Sequence, residues 1–216
     1  MQVVLNQQHS LISNYVAELR DQVKQKDRMR FRQNLKRIAM LMAYEISKQM
    51  PSQQKLVKST LGEAKEFTLK EQPVLASIMR AGLPFHQGFL DAFDQADNAF
   101  VSAYRKPNKN HESFEIKMEY VASPTLTNRI LVLCDAMLAT GASISIVLKA
   151  LREYGEPKQI HIAAVIASKE GLEEVKRRVP AHTKIWVAAV DDELTAQSYI
   201  VPGLGDAGDL AFGAKE

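Results

Sequence analysis

The sequence lacks most of the features that would set it apart from an ordinary globular protein. It has one cysteine, Cys134, and a bridge needs two, so no disulfide framework holds it together. No apolar run reaches the ~18–20 residues of a membrane span. The chain does not open with a basic start, an apolar stretch and a small-residue cleavage site. No secretion signal is therefore expected, and a reducing, cytoplasmic setting is the default reading. Neither sign of charge dominates, since 28 Lys and Arg stand against 25 Asp and Glu, a net of +3. That mild excess suits a small anionic ligand and does not call for nucleic acid or a membrane as partner. The five histidines, His9, His86, His111, His161 and His182, are scattered without metal-ligand spacing. Neither a G-x-S-x-G elbow nor a G-x-x-x-x-G-K-[ST] loop occurs.

What is present has the balance of an ordinary globular protein. Of the 216 residues, 46% are hydrophobic and 25% charged, enough for one α/β domain that needs no staples. Ile12, Val16, Leu19 and Val23 recur at helical spacing, and so do Phe31, Leu35, Ile38, Met42 and Ile46. Two amphipathic helices are expected over the first 50 residues or so, the second stopped at Pro51. The basic stretch Lys24–Arg37 reads as a solvated helix face, with a phosphate or partner surface as the alternative. Ser52 to Gln72 is polar and predicts helical fragments at best.

The pattern then changes. Val74–Met79, Phe100–Ala103, Ile130–Cys134, Ile160–Ala167 and Ile185–Val190 are short apolar runs, as in strands covered on both faces. Helical patterns at Leu83–Gln95, Ser143–Tyr154 and Gly171–Arg178 lie between several of them. The alternation predicts an open, mostly parallel sheet flanked by helices. Phe114, Ile116, Met118 and Tyr120 instead alternate with charged residues, after a breaker-rich loop Lys106–His111. Tyr104–Val121 is read as a protruding β-arm.

Three segments could carry chemistry. In Ile130–Ser143 a buried strand leads to Asp135, then to a loop of small and hydroxylated residues, then to a helix. Ligands of open α/β sheets bind beyond the carboxyl ends of strands, and helix N-termini cradle phosphate. Thr140 and Ser143 could add hydroxyl donors, and Asp135 could accept from ribose hydroxyls or merely cap the helix. Cys134 reads as a small buried hydrophobe. In Tyr199–Asp209 the glycines at 203, 205 and 208 match G-x-G-x-x-G, but only eight residues follow Gly208. A dinucleotide fingerprint would need a βαβ unit of about 30 residues, so that reading is rejected. Tightly wound backbone there could instead read the edge of a flat base. In Ser77–Leu83 a strand ends at Arg80, placed to grip an anion, and Arg105 ends another strand in the same way. Asp191-Asp192-Glu193 could hold a cation, but a solvated turn is the preferred reading.

Together the three segments resemble the uracil phosphoribosyltransferase family, from about residue 5 to the end. Asp135–Gly141 is similar to the family's phosphoribosyl pyrophosphate (PRPP) loop, Tyr199–Asp209 to its uracil loop, and Arg80–Leu83 to its pyrophosphate loop. The resemblance implies one phosphoribosyltransferase domain that converts uracil and PRPP to UMP and pyrophosphate, with Mg²⁺ held mainly through PRPP. It implies that Arg80 and Arg105 contact PRPP. Asp135, Ala136, Met137, Leu138, Ala139, Thr140, Gly141, Ala142 and Ser143 would wrap its ribose 5-phosphate. Ile200, Gly205, Asp206 and Ala207 would bind uracil, with Asp206 also against PRPP. Asp206, Arg105 and Asp135 form the implied catalytic set. Asp209 is expected to cap the turn. A homodimer or homotetramer, with apolar surface on the N-terminal helices, and an allosteric GTP belong to the same set of implications. The alternative is a non-catalytic UMP- or PRPP-binding regulator of the same fold. Two positions depart from the family, Ala136 in place of Pro and Ala142 in place of a second Gly. If residue 142 required positive φ, its methyl group would cost ~1 kcal/mol.

Overall fold

Every residue from Ile160 to Ser168 is buried, which requires a central strand covered on both faces. In the computed structural model, which describes residues 1–107 and 114–215, with backbone alone at 104–107 and 114–116, that strand lies inside a seven-stranded sheet. In chain order the elements are β1 (Gln2–Val4), α1 (Leu11–Arg20), α2 (Arg28–Ser47), β2 (Ser52–Lys58), β3 (Glu63–Leu69), β4 (Val74–Met79) and α3 (Gly82–Ala92). Then follow β5 (Asp97–Pro107), β6 (Phe114–Ala122), β7 (Ile130–Leu138), α4 (Ala142–Leu151), β8 (Gln159–Ser168) and α5 (Lys169–Arg178). The chain finishes with β9 (Lys184–Asp191), β10 (Glu193–Leu194), β11 (Ile200–Val201) and α6 (Ala207–Phe212).

The sheet order is β1-β9-β8-β7-β4-β5-β6, parallel throughout except for β6, which runs antiparallel to β5. One face is covered by α1, α2 and α3 through Leu19, Leu35, Ile38, Met42, Phe85 and Phe89. The other is covered by α4 and α5 through Ile144, Val147, Leu172 and Val175. Each large side chain fully buried this way contributes ~1.5–3 kcal/mol, so the two layers rather than any staple hold the sheet. No helix among the described residues is long and apolar enough to cross a membrane.

One sequence expectation fails here. Ser52–Gln72 is not helical. β2 and β3 pair antiparallel from Ser52↔Leu69 to Lys58↔Glu63 as a separate hairpin. All of β2 and most of β3 are exposed, so neither face needed the alternating apolar residues that mark a strand in sequence. In α1 and α2, Ile12, Val16, Phe31 and Ile46 are buried inside this chain, while Leu11, Met29, Met40 and Tyr44, and Val23 beyond α1, are exposed.

Beyond Ser102, where pairing with β4 stops, β5 continues paired to β6 alone, with a register irregularity between Ser102 and Ala103. The polar loop expected at Lys106–His111 lies mostly outside the described residues.

Candidate functional site

The strands β4, β7, β8 and β9 are parallel neighbours, so their carboxyl ends share one edge of the sheet. Arg80 directly follows β4, after a cis peptide bond to Met79. Its guanidinium forms an ion pair with Asp209, Nη2 to Oδ1 at 2.6 Å, and Nη1 donates to the Gly213 carbonyl at 3.3 Å. This pair brings the segments around Arg80 and Tyr199–Asp209, 129 positions apart in the chain, into direct contact.

Asp206, not Asp209, caps the short helix α6. Its Oδ1 accepts from the backbone N–H of Gly208 at 2.8 Å and of Asp209 at 3.0 Å, while the Lys215 ammonium lies 3.1 Å from Oδ2. Partial burial works to raise the Asp206 carboxyl. The Asp209 N–H, Lys215 and the Gly208 N–H outweigh it and hold the group below its ordinary value. Asp206 is thus kept ionised at the edge of the sheet. The first turn of α6 thereby frees Asp209 to reach Arg80.

β7 continues to Leu138, four residues beyond the apolar run, so Asp135 lies within the strand rather than at its end. Asp135 pairs in register with Ala164 of β8 and does not cap α4. Ala136 and Leu138 are buried, backbone included, and the connecting loop shrinks to Ala139–Gly141. That loop is clamped from behind. Ser168 caps α5 by accepting from the Gly171 N–H at 2.8 Å, and its hydroxyl donates to the Ala139 carbonyl at 2.6 Å. Gly141 caps α4 at φ +74°, where an added Cβ would lie 2.7 Å from the Gly171 carbonyl oxygen and from Val175. Ala142 is the first residue of α4 and has no positive φ, so the penalty considered for its methyl group does not arise. Thr140 and Ser143 are partly exposed at this helix start.

Ile200 and Ala207 are buried, while Gly205, at φ +91° between them, is exposed and Asp206 partly so. Arg105 lies on β5 opposite Ile116 of β6, with its side chain outside the described residues. The structure therefore joins Arg80 to the C-terminal segment and sets the Asp135–Ser143 loop on the same edge.

Sequence reading missed Arg20 and undervalued Asp191. Asp191 is no solvated turn residue. It is 6% exposed and held by both terminal nitrogens of Arg20. In sequence, a basic residue closing a helix looks like an ordinary surface residue, so no signal marked Arg20. The neighbouring Asp192 does stay in solvent, paired with Lys169.

A family model described as "Uracil phosphoribosyltransferase" matches residues 5–214. Over 216 residues, the whole of both chains, the sequence is 51% identical to uracil phosphoribosyltransferase of Porphyromonas gingivalis. It is 38% identical over 206 residues to that of Pyrococcus furiosus, covering 94% of this chain and 86% of the relative. The fold is similar to that of the AQ2163 protein from Aquifex aeolicus, with a TM-score of 0.88 and 30% identity over 100% of this chain and 99% of that one.

Proposed function

The chain belongs to the uracil phosphoribosyltransferase family, and we propose that the three segments at the sheet edge divide that family's reaction among them. The chain is a phosphoribosyltransferase that joins uracil to PRPP, giving UMP and pyrophosphate. The observation that carries the division of labour is the 2.6 Å contact between Arg80 and Asp209, which sets Arg80 directly against the Tyr199–Asp209 segment.

Breaking the bond between the anomeric carbon and pyrophosphate builds positive charge on the ribose and negative charge on the leaving group. Preorganised charge at both ends lowers such a barrier without a protein nucleophile. In this reading Arg80 and Arg105 meet the pyrophosphate. The loop Ala139–Gly141 and the start of α4 hold the 5-phosphate through backbone N–H groups and the hydroxyls of Thr140 and Ser143. Asp135 and the ionised Asp206 face the ribose. The backbone at Ile200 and Gly205–Ala207 reads uracil. Mg²⁺ would be held mainly through PRPP oxygens and waters, where it would offset the charge of the departing pyrophosphate. Among the described residues no three His, Cys, Asp or Glu side chains converge on one point. Mg²⁺ is commonly held by one or two carboxylates, waters and substrate phosphates.

A homo-oligomer belongs to the same proposal. Its support is the β2–β3 hairpin, where Leu56 is 56% and Phe67 75% exposed, together with the exposed Met40 and Tyr44 of α2. Beside it lies a groove of about 650 Å³ lined by Met40, Tyr44, Phe67 and Phe93. A lone two-stranded hairpin is marginal in water, so this one calls for a cover.

The test is direct. Purified protein with uracil, PRPP and Mg²⁺ should yield UMP by chromatography, and cytosine, adenine and guanine should not react. Binding of PRPP or UMP without turnover would point to the non-catalytic regulator instead.

A further inference from the structure

We propose that Arg20 and Asp191 are positioning residues that set affinity and selectivity for the base by fixing the backbone of Gly203. The inference rests on the reading of Tyr199–Asp209 as the base loop. Arg20 is the last residue of α1 and Asp191 the last of β9. Their side chains meet as a two-pronged ion pair, Nη2 to Oδ1 at 2.6 Å and Nη1 to Oδ2 at 2.8 Å. The same two groups then hold the two peptide units that flank the Gly203 Cα, one through its N–H and the other through its carbonyl. Asp191 Oδ2 accepts from the Gly203 N–H at 2.9 Å, and Arg20 Nη1 donates to the Gly203 carbonyl at 2.9 Å.

Gly203 thus has donor and acceptor both bound by charged partners, and such bonds are shorter and roughly twice as strong as neutral ones. Its φ is +56°, and an added Cβ would fall 2.0 Å from the Ile200 carbonyl oxygen, so the residue can have no side chain to anchor it. The clamp supplies from outside what a side chain would supply from within.

Stability alone does not require this arrangement. A buried ion pair is often no better for stability than apolar groups of the same shape. What an apolar contact cannot do is fix a peptide unit in direction as well as place. Gly205 and Asp206 follow within three residues, so an error at Gly203 is passed to the groups that meet the base. A displacement of ~1 Å at such a point can cost ~10²-fold in rate. In this reading Arg20 and Asp191 touch no substrate.

The experiment compares wild type with Arg20→Lys and Asp191→Asn, varying uracil and PRPP separately and using 5-methyluracil as competitor. Lys keeps the charge but cannot span two carboxylate oxygens and a carbonyl in one plane. Arg20→Lys should raise KM for uracil about tenfold, leave KM for PRPP within about twofold, and lower discrimination against 5-methyluracil about fivefold. In Arg20→Ala, added guanidinium ion should restore the uracil KM alone. Should that variant not fold, Arg20→Lys and Asp191→Asn still decide the question. A lower Tm with unchanged uracil KM and selectivity would make the pair a simple staple and overturn the inference. So would an equal rise in both KM values. A wild type that makes no UMP overturns the base-loop reading itself, whereas active wild type with unaffected variants overturns the clamp alone.

Discussion

At the scale of single residues, the C-terminal segment separates two carboxylates that look interchangeable in sequence. Asp206 is bonded to backbone and Lys215, while Asp209 is bonded to Arg80. Asn is as good a helix cap as Asp, so Asp206→Asn should keep its melting temperature within a few degrees. If, as proposed, its charge faces the ribose, losing it should lower kcat by about 10²-fold, the size of one preorganised electrostatic group. Asp209→Asn should instead raise KM for PRPP, since Arg80 loses the partner that aims it. Its stability loss should stay below about 1 kcal/mol, because the pair is partly exposed. Parallel kinetics and melts of the two variants check both statements. A separate residue predicts pH dependence. Trp186 donates to His161 Nδ1 at 2.9 Å inside the core. Burial, helped by Lys184, holds the imidazole neutral and lowers its pKa from 6.5 to about 4. The unfolded chain therefore binds a proton that the folded one refuses between those values. The stability this supplies is complete above pH 6.5 and is lost as the pH falls towards 4, at most about 3 kcal/mol. Melts at pH 7 and pH 4.5 should show a larger drop for wild type than for His161→Gln.

At the scale of elements, legibility in sequence follows burial. β4 is present over Val74–Met79, the same residues that its apolar run marks, and β8 is only one residue longer at each end, because strands covered on both sides must be apolar throughout. β7 outruns its run of large apolar residues, since Asp135 and Met137 only partly face the interior. The β2–β3 hairpin left no trace, because its residues are chosen for no buried face. The site divides in the same way. Arg80 follows β4 and Asp135–Ser143 runs from the last residues of β7 into α4, so both could be read locally. Arg20 and the roles of Asp206 and Asp209 depend on contacts between distant segments, which no local pattern encodes. The Ala139–Gly141 turn offers a sharp test of element packing. Gly141→Ala puts a side chain at φ +74° and 2.7 Å from the Gly171 carbonyl oxygen and Val175. It should destabilise the protein by about 2 kcal/mol or more and raise KM for PRPP, because α5 and the phosphate loop must part to admit the methyl group.

At the scale of the whole molecule, the exposed hairpin and the groove beside it predict the assembly state. Phe67→Ser and Leu56→Ser together should shift light-scattering mass at micromolar concentration from an oligomer to a single chain. A strict monomer in the wild type would refute the proposed assembly. The clamp on Gly203 has a different consequence, one of timing. Arg20 and Asp191 are 171 positions apart, and Arg20 and Gly203 are 183 apart. While the chain is being synthesised, α1 is made among the first elements, yet Arg20 has no Asp191 to meet until almost the whole chain has left the ribosome. Contacts of such long range form late, after the loop between them has been closed at an entropic cost. The nascent protein can thus assemble α1–α3 and the early strands while the Tyr199–Asp209 segment is still unshaped, so the proposed site is completed last.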